Sequence, residues 1–350
     1  MIAAGTREPM IWVLLGQRTG DNAQALATGR AVAAATGGEV TPKPLLYNAL
    51  YRAPNLLLGA SLRSLRQDRR NSLAPPWPDL VIGVGRRSVP VARWIKAQSG
   101  GRAKLVQIGR PRAPLDWFDL VVTTPQYRLP DEANVLKVLL PPLSAPALDK
   151  NELELWRKTF APLPRPWIGV LVGGARPPYR FDARAAVQLA HRAEALADRL
   201  GGTLLVTTSP RTGAAQGRAL VEAISSPAHC NLWRPDADNA HHAILALADR
   251  FIVTGESVSM LAEACLTGKP VAIHQLPRNG SYPAWSGERG IGRRFARAGL
   301  ASPPRDPQAV VDRLIDAGHA ALLGPSEPAR FVPAPDERAR IIAAISALLD

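Results

Sequence analysis

A chain of 350 residues with 46% hydrophobic residues is long enough for about two domains with buried cores, and its 28 Gly and 33 Pro are spread without repeats or biased tracts. Lys plus Arg number 43 against 29 Asp plus Glu; the net charge of +14 favours anionic partners such as phosphates or anionic lipid, while scattered basic residues, 5% aromatics and the lack of zinc-finger or ribonucleoprotein spacing argue against nucleic acid. Cys230 and Cys265 offer neither a disulfide framework nor a CxxC metal site, and no apolar run reaches the roughly 18 residues of a membrane span, so a cytoplasmic protein is expected, at most peripheral at the inner face of the membrane.

In the first half, short apolar runs predict strands at 11–15, 79–84, 104–108, 119–123 and 135–139, with helices over 22–35 and 88–97. Two loops, GQRTGDNAQ and GVGRRS, follow the first two of these strands. Asp21 is a candidate general base on an acceptor hydroxyl, although its place just before the helix suits an N-cap better. Gly83, Gly85 and Ser88 allow a tight turn into a helix, with Arg86 and Arg87 placed to meet an anion; a plain turn with two exposed arginines fits equally well. Between these loops, residues 55–70 set Leu58, Leu62 and Leu65 at helical spacing with Arg63, Arg66, Arg69 and Arg70 largely off the stripe. That is the pattern of an interfacial amphipathic helix for an anionic membrane surface, or of a helix packed on its own domain.

Residues 139–167 are proline-rich at both ends, which marks a linker, placed at 146–166 between an N-terminal domain (1–145) and a C-terminal domain (167–335). After it the alternation restarts with strands at 168–172, 203–208, 231–233, 251–253 and 271–273 and helices at 182–200, 214–224, 239–247 and 257–267. A last helix within 336–350 is expected to pack back near the linker. The fold class is therefore α/β, two Rossmann-like doubly wound domains facing across a cleft, with ligands beyond the carboxyl ends of the strands.

Three loops at such strand ends converge on one chemistry. Gly173 and Gly174 let backbone amides approach a ligand, Ser209, Arg211 and Thr212 follow the second strand, and Ser257 and Ser259 open a helix. Small, hydroxylated and cationic groups at three strand ends of one domain point to a phosphate site. Ser259, Glu263 and Thr267 form one polar stripe on that helix. Asp236 and Asp238 resemble a metal-binding Asp-x-Asp but precede a helix, where acids are favoured electrostatically, and the adjacent His241 and His242 point to different sides. No metal and no cofactor is expected.

The runs PDLVIGVGRRSVPVARWIK, FDLVVTTPQY, VLVGGARPPYRFD, TTSPRTG and TGESVSMLAEACLTGKPVAI resemble, in order, the bacterial relatives of the plant elongated-mitochondria (mitochondrial fission) family. The Ser-x-Ser-Met-x-x-Glu-Ala core falls together with the Thr-Gly-Lys-Pro after it; the chain departs from the family pattern at Glu256, where Asp is usual, and at Pro210, where Arg is usual. The resemblance implies a GT-B-like architecture, as in many nucleotide-sugar glycosyltransferases, with the acceptor on the N-terminal side and the nucleotide on the C-terminal side. The helix at 257–267 is also similar to the donor-binding helix of the transferase that adds N-acetylglucosamine to a lipid-linked peptidoglycan precursor, in which a Glu holds the nucleotide ribose. Glu263 stands at the matching position. A carboxylate there can accept both ribose hydroxyls while the helix start holds the diphosphate; a polar contact between domains is the plainer role for the same side chain.

Members of this family carry the name nucleoside-diphosphate-sugar epimerase, yet short-chain epimerase chemistry is unsupported. GQRTGDNAQ lacks a GxxGxxG, and none of Tyr47, Tyr51, Tyr127, Tyr179 or Tyr282 has Lys four residues later. Two function classes follow. One is a metal-independent glycosyltransferase-type protein binding a nucleotide diphosphate or nucleotide-sugar; the other is a non-catalytic adaptor that binds protein partners or a membrane surface.

Overall fold

The computed structural model describes residues 8–143, 148–235, 239–280, 290–301, 304–324 and 331–350. Asp236, Asp238 and Tyr282 lie outside the described residues. The chain divides into two units, one of Met1–Ser144, Pro283–Asp306 and Asp336–Asp350, the other of Ala145–Tyr282 and Pro307–Pro335. Residues 283–306, assigned to the C-terminal domain from sequence, thus belong with the first unit.

In the first unit the elements are β1 (Met10–Leu15), α1 (Thr19–Thr36), β2 (Glu39–Pro44), α2 (Asn55–Leu58), β3 (Leu80–Val84), α3 (Val89–Gln98), β4 (Lys104–Ile108), β5 (Leu120–Thr123) and β6 (Val135–Lys137). Among the described residues they make a parallel sheet in the order β2-β1-β3-β4-β5-β6. Both faces are covered, which is why the strands read as continuous apolar runs. Val13, Ile82, Val106 and Val122 face one cluster with Ala25 and Val32 of α1 and Ile341 and Ile345 of the last helix, Arg338–Ser346. Trp12, Val81, Leu105 and Val121 face the other, with Val91 and Ile95 of α3. Glu337, just before the last helix, accepts from the amides of Leu139 and Leu140.

Two expectations change here and one strand is new. First, α1 begins at Thr19, so Asp21 lies in its first turn and is not the N-cap; Arg18 holds the cap position without a side-chain bond. The loop is tied instead by Asn22, whose Oδ1 accepts from the Gly16 amide at 2.8 Å and whose Nδ2 donates to the Gly16 carbonyl at 3.0 Å. Second, residues 55–70 form no amphipathic helix. α2 stops after one turn at Gly59, whose φ of 59° suits glycine, and the segment continues as turns. Leu58 and Leu65 are buried all the same, so the periodic leucines marked core contacts rather than a helix face. Third, β2 joins the edge of the sheet although Pro42 and Pro44 interrupt it, because an edge strand tolerates missing amides.

The second unit carries α4 (Lys150–Phe160), β7 (Trp167–Val172), α5 (Ala183–Leu200), β8 (Thr203–Thr208), α6 (Ala214–Glu222), β9 (Ala228–Asn231), α7 (His241–Leu247), β10 (Arg250–Thr254), α8 (Val258–Leu266) and β11 (Val271–His274). A helix over Gln308–Asp316 and a short β12 (Ala321–Leu322) complete it. The sheet order is β12-β11-β10-β7-β8-β9, again parallel, which is the Rossmann order. The segment expected as a linker supplies α4, and its buried Phe160 packs edge-on against Trp167 of β7 and His229 of β9, with ring centres 5.8 and 5.2 Å apart. β9 ends where a strand at 231–233 was expected to begin. Among the described residues no helix is long and apolar enough to cross a membrane.

Candidate functional site

In the second sheet β7 and β10 are neighbours although two strands lie between them in sequence, because the chain runs outward through β8 and β9 and resumes on the other side. Loops leaving their carboxyl ends diverge there, the place where open α/β sheets take ligands. The Gly173 amide donates to Thr254 Oγ1 at 2.9 Å, joining the two strand ends. The loop after β8 folds onto the same point. Ser209 Oγ donates to the Gly173 carbonyl, and Thr212 Oγ1 donates to the carbonyls of Val172 and Gly173 at 3.1 and 3.2 Å while accepting from the Ser209 amide at 3.0 Å. Arg211 then reaches across, its Nη2 donating to Ser257 Oγ at 3.2 Å.

Gly173, Gly174, Ser209, Arg211, Thr212 and Ser257 are thus brought together, but not in equal parts. Thr212 is buried and its hydroxyl holds the loop. Ser257 precedes α8 without capping it, since its hydroxyl accepts from Arg211, so the first-turn amides of α8 have no side-chain cap. Ser259 sits half-buried in that first turn. Glu263 follows one turn later, with Oε2 paired to His241 Nε2 of α7 at 2.7 Å. The His241 and His242 rings are 5.6 Å apart, and burial together with His241 lowers the His242 pKa.

The sequence alone gave neither Glu256 nor His241 a place in this site. Glu256 is 0% exposed, and neither carboxylate oxygen makes a contact of hydrogen-bond geometry. Arg211 Nη1 stands 3.8 Å from its Oε1. Burial raises its pKa to about 7, against the pull of Arg211 and of nearby donors at Thr254 and Gly174. Glycine at 173 is what admits the carboxylate, since a Cβ there would lie 2.0 Å from Glu256 Oε1. The signal available in the sequence was the departure of Glu256 from the family pattern, inside TGES.

The first sheet has its own switch, between β1 and β3, and there Arg87 Nη1 donates to Gln17 Oε1 at 3.4 Å with its guanidinium 4.2 Å over the Tyr51 ring. Arg86 donates to the carbonyls of Ala53 and Arg52 at 3.1 and 3.3 Å, and burial with Arg112 and Arg87 nearby lowers its pKa. Gly83 leaves room for Ser88 Oγ, 2.6 Å from where a Cβ would sit; Gly85 turns at φ 65°, and the Ser88 hydroxyl donates back to the carbonyls of Val84 and Gly85 at 3.4 Å. Arg86 and Ser88 therefore serve the loop's own backbone.

A cavity of about 90 Å³ in the second unit is lined by Leu196, Phe251, Val271 and Leu322 at the amino ends of β10 and β11, the end opposite these loops. Among the described residues no group of three metal-ligating side chains gathers.

A family model described as Mitochondrial fission ELM1 matches residues 19–290. Mitochondrial fission protein ELM1 of Arabidopsis thaliana is 28% identical over 268 residues, covering 68% of this chain; the chain spans 62% of that protein's length. Uncharacterized protein RP120 of Rickettsia prowazekii (strain Madrid E) is 26% identical over 310 residues, covering 76% of this chain and 83% of that one. Among solved structures, UDP-GlcNAc 2-epimerase from Methanocaldococcus jannaschii superposes with a TM-score of 0.51 at 11% identity, covering 97% of this chain and 93% of that chain, a likeness of fold alone. The match to residues 19–290, well over half of the 350, together with the GT-B-like pair of Rossmann-like units, establishes that the chain belongs to the mitochondrial fission ELM1 family.

Proposed function

We propose that the second unit binds a nucleoside diphosphate or nucleotide-sugar at the carboxyl ends of β7, β8 and β10, and that the protein has glycosyltransferase-type activity. The observation that carries this reading is the junction of three loops through Gly173, Ser209, Arg211 and Ser257 at the switch of a Rossmann-ordered sheet. In it the diphosphate meets the uncapped start of α8, the Arg211 guanidinium and the Ser209 and Ser259 hydroxyls. Glu263 takes the ribose hydroxyls through Oε1 while His241 fixes the carboxylate through Oε2. A buried anion beside a diphosphate would oppose binding, but Glu256, with a pKa of about 7, is neutral in a large share of molecules near neutral pH and as an acid can donate to a phosphate oxygen.

Glu263→Gln tests the ribose contact. Binding of UDP or ADP, followed by calorimetry, is expected to weaken by about 1 to 3 kcal/mol, the worth of a hydrogen bond to a charged group, with the melting temperature unchanged. The 2′-deoxy nucleotide should bind the wild type less well and lose little more on mutation, because the two changes remove one contact. Equal affinities across all four combinations would refute the assignment. Turnover is tested with labelled nucleotide-sugars and lipid extract.

The adaptor reading has its own support in the first unit. Leu50, Leu56 and Leu57 are 53%, 42% and 75% exposed, with the exposed Arg52 and Arg63 close in sequence, which suits an anionic membrane surface. Leu57→Glu should abolish co-sedimentation with anionic vesicles if this reading holds, and leave nucleotide binding intact.

A further inference from the structure

The six large apolar side chains left exposed in the first unit, among the described residues, fall in two segments: Leu50, Leu56 and Leu57 around α2, and Ile291, Phe295 and Leu300 in a stretch that returns to this unit late in the chain. Scattered exposed leucines need no explanation, but two adjoining clusters of them do. The clusters adjoin through the loop after β4. Asn55, buried at the start of α2, donates through Nδ2 to the carbonyls of Pro111 and Arg112 at 2.9 and 3.3 Å. At the next residue, Ala113, Gly299 comes so close that a Cβ on it would fall 2.3 Å from the carbonyl carbon. Residues 111–113 are thus held by both segments.

The late stretch is α9 (Gly290–Arg297) and the turn that ends it. Gly292 and Ala296, four residues apart, form its buried face, and their small size seats the helix closely on the unit. At about 100° per residue, Ile291 and Phe295 share one flank, 70% and 42% exposed, Arg293 and Arg297 share the other, and exposed Arg294 lies between them on the outward side. The Leu300 amide donates to the Phe295 carbonyl at 3.0 Å and the Gly299 amide to that of Ala296 at 3.1 Å, with Gly299 left-handed at φ 67°. This is a Schellman end, which turns Leu300 back beside Phe295. Leu300 is 63% exposed, so the apolar flank runs on past the helix.

Charge decides what such a face meets. Arg293 Nε donates to Glu132 at 2.9 Å with Arg297 3.8 Å from the same carboxylate, and Lys137 pairs with Asp131 at 2.8 Å, so three cations meet two carboxylates on the basic flank. Arg52, Arg63, Arg112 and Arg294 bring further exposed cations to the two segments and the loop they share. A helix lying in the plane of an anionic bilayer sinks its apolar flank to the acyl boundary while arginines reach the headgroups.

We propose that α9, the turn through Leu300 and the α2 segment form one docking face whose partner is an anionic lipid surface. The proposal deepens the membrane reading of the first unit and rests on it. The loop shared by the two segments leaves the carboxyl end of β4, so docking brings lipid headgroups to the ligand end of the first sheet, where a transferase would meet a lipid-borne acceptor.

Co-sedimentation of the full chain with vesicles of equimolar phosphatidylglycerol and phosphatidylcholine tests this. Ile291→Ser/Phe295→Ser is expected to weaken binding at least about tenfold. Arg294→Glu should weaken it severalfold at low salt and little at high salt, where surface charge is screened. These positions are exposed, so the melting temperature should not move; Leu155→Ser, at a 62% exposed position of the second unit, is the control and should bind as the wild type does. An environment-sensitive dye on Leu300→Cys should shift to the blue with these vesicles and not with phosphatidylcholine alone. Cys230 and Cys265, their thiols pushed up to about 11 and about 12 by burial, compete little for the label at neutral pH. If Leu57→Glu loses vesicle binding while the α9 variants keep it, or the dye does not respond, α9 is no part of the face and this proposal falls alone. If the wild type binds no vesicles, the membrane reading falls with it. Self-association of the wild type that Ile291→Ser/Phe295→Ser abolishes, without vesicle binding, would give the face to a second copy and overturn the lipid.

Discussion

Gly174→Ala is expected to destabilise the second unit by upwards of about 3 kcal/mol. Gly174 has a φ of 115°, and a Cβ built on it falls 2.4 Å from the carbonyl carbon and oxygen of Arg211 and 2.5 Å from the Thr212 amide. Those atoms are backbone, pinned by the Thr212 hydroxyl, so no flexible side chain can move aside. Gly201→Ala is the matched control. It too is left-handed, at φ 64°, but nothing stands within 4 Å of its Cβ, so it should cost only the strain of the αL region, about 1 to 2 kcal/mol. Thermal unfolding followed by tryptophan emission compares the two. Equal melting temperatures would mean that the loop after β8 relaxes freely and is not the rigid clamp described above.

Glu256→Gln should stabilise the protein at pH 8 and do little near pH 4.5. The folded protein holds the Glu256 proton up to about pH 7, whereas the unfolded chain releases it near 4.5. Between those values the folded state binds the extra proton, so stability falls as pH rises, and the loss is complete a little above 7. The difference corresponds to about 3 kcal/mol, or roughly 6 to 12 °C for a unit of this size. The charged group facing this position is Arg211, from the loop after β8; on β11, His274 bonds the neighbouring Gly255 amide through its backbone carbonyl. Farther along α8 lies the His241–Glu263 pair. Burial and Arg192 lower the His274 pKa to about 4, and a histidine so depressed acts in the opposite sense, removing stability as pH falls below 6.5. The readout is therefore the difference between variant and wild type across pH, in which His274 cancels. A constant difference from pH 5 to 8 would show that Glu256 does not titrate in this range.

Strands buried on both faces were the easiest part of the fold to read from sequence. β4 and β8 coincide with 104–108 and 203–208 because short runs built on Leu, Val, Ile and Thr between turn residues leave little choice. β2 escaped notice because EVTPKP has neither alternation nor a buried run, its place depending on pairing with β1. The leucines of 55–70 gave the right burial and the wrong element, since inward-facing residues in a folded loop can imitate helical spacing. The loops rich in Gly, Ser and Arg were identifiable as strand ends, but their mutual contacts were not. The bond from Arg211 to Ser257 depends on the order of strands in the sheet, and the burial of Glu256 on the missing side chain of Gly173.

The two prolines of β2 bear on how this protein avoids sticking to itself. Glu39 donates its amide to Pro9 and Leu45 donates to Leu15, so odd-numbered residues point their amides toward β1 and even-numbered ones point outward. Pro42 and Pro44 fall on the outward side, where a further strand would look for donors. Of the three outward positions only Val40 retains an N–H. A stray extended segment meeting this rim finds carbonyls with almost nothing to complement them. The first sheet is thereby protected from growing, molecule by molecule, into an aggregate, by residues that contribute nothing to its interior.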